Sequence, residues 1–106
     1  MPRPCRIAGC HGEVLPALAA DGVCLRHFVE LVIERADCVR ACCIDSQPAD
    51  QEVVDWLLGD ARETARALST LSGGATNEEI LELLLCLANL QEYIAHHSLR
   101  LNRIVH

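Results

Sequence analysis

Cys5, Cys10, Cys24 and His27 stand within twenty-three residues in the pattern Cys-x4-Cys-x13-Cys-x2-His. Thiolate and imidazole are ligands that zinc takes in a closed tetrahedron, and proteins usually supply them as two close pairs joined by folding. Cys5 and Cys10 flank Arg6-Ile7-Ala8-Gly9, where Gly9 lets the backbone turn so that neighbouring amides point at sulfur. Cys24 and His27, three apart, share one face of a helix's first turn. Asp21-Gly22 marks the start of that helix, whose amino end favours thiolate charge. The set is read as the ligands of one structural zinc ion. His11, beside Cys10, competes with His27 for the fourth position and is expected to face solvent instead. Three thiolates around a divalent ion leave a negative charge, and Arg6 and Arg26 are the expected donors to sulfur.

The stretch CRIAGCHGEVLPALAADGVCLRHF resembles the short zinc fingers in which a Cys-x-x-x-Gly-Cys knuckle precedes Gly-x-Cys-x-x-His-Phe/Tyr. Such fingers occur in treble-clef endonucleases and in many small bacterial proteins. The likeness covers residues 5–28 and includes Gly9, Gly22 and Phe28 besides the four ligands. It implies metal binding, with two ligands from a knuckle and two from a helix. The nucleases of this kind also need a downstream histidine and an asparagine or acidic motif on a ββα element. Residues 44–106 show no such strands, so nuclease activity is not expected to follow.

The other cysteines carry a second possibility. Cys38 and Cys42 are one helical turn apart, with Cys43 adjacent, and the three could form a redox pair or bind a second soft metal. Buried cysteine is also a common small apolar residue in helix cores, and packing is the preferred reading. Glu82, Cys86, Asn89, Tyr93 and His96 draw a polar stripe along one later helix, with His97 beside its end. Cys86 and His96 lie about 15 Å apart along such a helix, too far for a catalytic pair. The stripe reads as a solvent edge, and no enzyme is expected.

These ligands need elements to hold them. The fold class expected is mostly α, with an N-terminal zinc knuckle leading into an antiparallel three-helix bundle that ends in a long C-terminal helix. Residues 1–106 form a single domain, with the knuckle at 1–27 and helices at 23–43, 48–72 and 76–104. Leu25, Phe28, Val29, Val32, Ala36, Val39 and Cys43 make one face of the first helix. Pro48, Asp50 and Glu52 suit the opening of the second, which carries Val54, Leu57, Leu58, Ala61, Ala65, Leu68 and Leu71 and stops at Ser72-Gly73-Gly74-Ala75. Thr76 to Glu79 reads as a capping box for the third. That helix is apolar on most sides, through Ile80, Leu84, Leu87, Leu90, Ile94, His97, Leu101 and Ile104, widened by Leu81, Leu83, Leu85 and Ala88. Its surplus apolar surface predicts a homodimer packed through it.

Composition sets the remaining bounds. Only Trp56, Tyr93 and Phe28 are aromatic and all nine basic residues are arginine, so the core must be aliphatic. The net charge is −6, and residues 44–92 hold ten acids against Arg62 and Arg66. That balance disfavours nucleic-acid binding, which usually needs a basic footprint. No secretory signal or membrane span is read, which with seven cysteines favours metal ligation in a reducing, cytoplasmic setting. Residues 1–23 offer Ile7, Val14, Leu15, Leu18 and a few alanines. That is little to offset ordering at roughly 1–2 kcal/mol per residue, whereas a structural zinc contributes an apparent ~10–16 kcal/mol in small fingers. The function expected is a zinc-stabilised helical scaffold, regulatory or adaptor in role, acting through an unknown protein partner. The alternatives are a thiol-based redox or metal sensor and, more weakly, a nucleic-acid-binding finger.

Overall fold

Leu18, Val23 and Phe28, from the segment around the four ligands, are buried together with side chains from every long helix. The structure, a computed structural model, describes residues 3–45, 47–71, 76–97 and 101–102. These are mostly helical. A short antiparallel pair, β1 (Arg3–Pro4) with β2 (Glu13–Val14), and a 3-10 turn at Pro16–Leu18 precede α1 (Leu25–Ile44). Then follow β3 (Ala49–Asp50), α2 (Gln51–Leu58), α3 (Asp60–Ser69), α4 (Glu78–His97) and β4 (Leu101–Asn102).

The α1 face is the one the spacing predicts: Phe28, Val29, Val32, Ala36 and Val39 are buried, with Leu25 and Cys43 at its margins. It packs chiefly against α4, which also packs on α3. Phe28 meets Trp56 of α2 edge-on, ring centroids 5.9 Å apart, and the Arg35 guanidinium lies 4.6 Å from the centre of the same Trp56 ring. No polar side chain is buried among the described residues, so this core is held by aliphatic and aromatic packing.

Three sequence expectations need correction. Residues 48–72 are not one helix: the chain breaks at Gly59, whose φ −110° and ψ −90° lie off the helical region. A Cβ on Gly59 would stand 2.8 Å from the Asp55 carbonyl oxygen, so glycine permits the bend. The apolar period nevertheless runs through the break, because Val54, Leu57, Ala61, Ala65 and Leu68 are all buried. The α2 cap is Asp50, whose carboxylate accepts the Glu52 amide at 2.9 Å; Pro48 lies ahead of the helix.

At α4 the Asn77 side chain caps the helix, since its Oδ1 accepts the amides of Glu79 at 2.9 Å and Ile80 at 3.2 Å. Finally, α4 is described to His97, and the expected helix does not extend through residues 101–102. Residues 101–102 are extended and pair in parallel with β3, Ala49 opposite Leu101 and Asp50 opposite Asn102. The expected stop at 72–75 and the expected helical position of Ile104 lie outside the described residues. Among those described, no helix is long and apolar enough to cross a membrane.

Candidate metal centre

Two local devices bring the ligands together. In the first, the Cys10 amide closes a turn onto the Ile7 carbonyl at 3.1 Å, with Gly9 at φ +80° taking the left-handed conformation that this turn needs. The Cys5 amide bonds the Gly12 carbonyl at 3.0 Å, so Cys5 and Cys10 face the same side. In the second, Cys24 is the residue from which α1 springs, its carbonyl accepting the Phe28 amide at 2.9 Å. No side chain caps this helix start; the Cys24 sulfur faces the cluster instead.

The devices are tied to each other by backbone. Arg6 donates its amide to Gly22 at 2.9 Å and its Nε to the Asp21 carbonyl at 3.1 Å, while Gly22 sits at φ +69°. Arg6 thus clamps the knuckle to the helix start rather than donating to sulfur as expected. Arg26 likewise pairs with Glu30 at 3.5 Å.

All four ligand atoms of Cys5, Cys10, Cys24 and His27 lie within 4.8 Å of one another, an arrangement that could hold a metal ion. Cys10 Sγ is 3.8 Å from Cys24 Sγ, and His27 Nδ1 is 3.2 Å from Cys24 Sγ and 3.4 Å from Cys5 Sγ. A tetrahedral zinc with Zn–S of about 2.3 Å and Zn–N of about 2.0–2.1 Å has edges of about 3.8 Å between sulfurs and about 3.6 Å from sulfur to nitrogen. The Cys10–Cys24 separation matches the sulfur edge, the two sulfur–nitrogen separations are shorter than theirs, and the donor set suits such an ion. Nδ1 is the imidazole nitrogen that faces the thiols. His11 is exposed, and the structure brings His27 rather than His11 to the cluster.

The electrostatics agree with a site built for a cation. Burial pushes the Cys5 thiol up, but hydrogen bonds with the Ile7 and Cys24 backbone and with the His27 and Cys10 side chains outweigh it and bring Cys5 down to about 6. At Cys10 the Gly12 amide, 3.3 Å from sulfur, favours the thiolate; burial and the neighbouring Cys24 and Cys5 thiols prevail and raise it. Crowded sulfurs resist sharing negative charge until a positive ion joins them.

One residue went unnoticed in the sequence reading. A Cβ on Gly12 would lie 2.7 Å from Cys24 Cβ, 2.9 Å from Cys24 Sγ and 3.3 Å from Cys10 Sγ. Only glycine lets the second half of the knuckle pass this close to the helix start. Its position in the sequence carries no sign of that approach.

The remaining candidates do not gather into a site. Cys38 is exposed, while Cys42, Cys43 and Cys86 are half-buried. Cys42 and Cys86 pack against the core, and burial, with Cys42 beside it, raises the Cys43 thiol. Among the described residues, no second cluster of ligands forms around them. Four of the arginines that might have met phosphate are engaged elsewhere: Arg6 and Arg26 as above, Arg35 over Trp56, and Arg40 with Asp37 at 2.9 Å. No family model, curated protein or solved structure matches this chain.

Proposed function

We propose that Cys5, Cys10, Cys24 and His27 hold one structural zinc ion in a treble-clef-like knuckle. The ion fastens residues 3–23 to an antiparallel three-helix bundle, in which α2 and α3 together serve as the middle limb. Four protein ligands leave no open position for substrate or activated water, so the metal is a staple rather than a catalytic centre. The chain then works as a small cytoplasmic regulatory or adaptor scaffold, through contact with other proteins. The observation that carries this reading is the gathering of three thiols and one imidazole within 4.8 Å of one another. Elemental analysis of the purified protein should return one zinc per chain, and Cys24→Ser should abolish it while disordering the knuckle. A Cys24→Ser protein that stays fully ordered and loses only a reaction would overturn the reading.

A redox-sensor role is the second reading, favoured by the Cys10–Cys24 sulfur separation of 3.8 Å and by an open cleft of about 460 Å³ lined by Cys10, Cys24 and His27. Mild peroxide that expels zinc and links Cys10 to Cys24 would establish it, and full retention of zinc would dismiss it. A nucleic-acid role is weakest, because Arg6, Arg26 and Arg35 are already engaged.

A further inference from the structure

Leu81 and Leu85 are the two large apolar residues of α4 left exposed among those described, at 42% and 65%. They stand one helical turn apart. With Ile33 of α1 and Cys86 they line a groove of about 480 Å³ between α1 and α4, completed by Glu78, Glu82, Asn89 and Arg40. Through Ile33 and Glu82 this groove runs into a second depression that adds Arg26, Val29, Glu30 and Glu79.

The charges around it are unbalanced. Arg40 is spent on Asp37 and Arg26 on Glu30. Among the described residues, no ion pair engages Glu78, Glu79 or Glu82. The helix dipole favours Glu78 and Glu79 in the first turn of α4, but Glu82 lies beyond it and repels Glu78 as a like charge four residues away. A second copy paired about a two-fold axis would bring these same carboxylates to the same groove.

We propose that the groove docks a basic amphipathic helix of another protein. Its apolar residues, one turn apart, seat on Leu81 and Leu85, and its Arg or Lys side chains meet Glu78, Glu79 and Glu82. This is helix-in-groove recognition, with charge complementarity selecting the partner. It rests on the reading of the chain as a protein-contact scaffold and names the surface used.

The test titrates the full zinc-loaded chain into a labelled short helical peptide of Leu and Lys in amphipathic order, and into its Leu/Glu counterpart, followed by fluorescence anisotropy. The Leu/Lys peptide should bind and weaken as salt rises, and the Leu/Glu peptide should not. Leu85→Ser, and separately Glu78→Gln with Glu82→Gln, should each weaken binding about tenfold or more. Both sets of side chains are exposed, so helix content and zinc stoichiometry should stay at the parent's level. Equal binding to parent and variants, or no binding to the parent, overturns the proposal. So does a parent dimer in sedimentation that Leu85→Ser dissociates, which would assign the groove to a second copy. Failure of the scaffold reading is distinguished by the Cys24→Ser experiment, which leaves Leu81, Leu85 and the glutamates untouched.

Discussion

His27 Nδ1 lies 3.2 Å from Cys24 Sγ because the two residues sit three apart where α1 begins. The helix itself fixes half of the ligand set, and the knuckle must come to it. The two halves of the site therefore differ in how they respond to losing the ion.

Removing zinc with a chelator, or by Cys24→Ser, should free the knuckle and spare the rest. Cys5 belongs to both the ligand cluster and the core, whereas Leu18 and Val23 belong to the core alone. Amide hydrogen exchange should rise by orders of magnitude at residues 5–12 and change little in α1 after its first turn, in α3 and in α4. Uniform loss of protection along the chain would contradict this division.

Gly12→Ala should damage the site more than Gly9→Ala. A Cβ at position 12 enters the space of Cys24 and Cys10, while one at position 9 meets nothing within 4 Å and suffers only the φ +80° strain. Zinc affinity should fall about 10–100-fold for Gly12→Ala, as for other changes behind metal ligands. Gly9→Ala should cost about 1–2 kcal/mol of folding stability. Competition with a chromogenic chelator reads the first, and denaturant unfolding the second.

Closure of the metal-free knuckle, which is open at neutral pH, should become more favourable as pH rises from about 6 to 9, because the closed form holds Cys5 at about 6 against its ordinary 9.0. Between those values the open form binds more protons than the closed one, so alkali favours closure. The contribution is complete above the ordinary value and lost as pH falls through about 6. Cys10 is raised, and opposes closure only at higher pH. Amide protection at residues 5–12 of zinc-stripped protein should climb across this window, and Cys5→Ser should flatten the climb. Identical slopes in the two proteins would remove the argument.

Thiol labelling of the zinc-loaded protein should begin at Cys38, the exposed cysteine, and reach Cys43 later because burial raises its thiol. The three cluster cysteines should be protected until zinc is removed. Mass spectrometry of alkylated peptides gives the order, and early labelling of Cys10 or Cys24 would mean that the ion is absent or loosely held.

The site was readable in the sequence because its chemistry is local in type and regular in spacing. Cys24 and His27 needed only the helical period, and Gly9 and Gly22 both take positive φ. Gly12 was not legible, since its role depends on a close approach to Cys24, twelve residues away, that spacing does not reveal. The buried face of α1 followed from periodicity. Gly59 did not, because the apolar pattern continues across the bend and a lone glycine is compatible with a continuous helix. On α4, periodicity marked Leu84 for the seam, yet Leu83 is fully buried and Leu84 only half. On a helix apolar on several sides, its neighbours decide which side turns inward. The pairing of residues 101–102 with 49–50 is long-range and carries no local signature.

The packing of α1 against α4 has a temporal side. A ribosome releases α1 first, and its principal partner emerges only after α2 and α3 have been made. Until then Val32, Ala36 and Val39 have no α4 to lie against, and a newborn chain must shelter an oily flank while synthesis proceeds. Ligand capture at Cys24 and His27 needs only the opening of α1 and the knuckle before it, so the ion can be in place before the helix meets its mate.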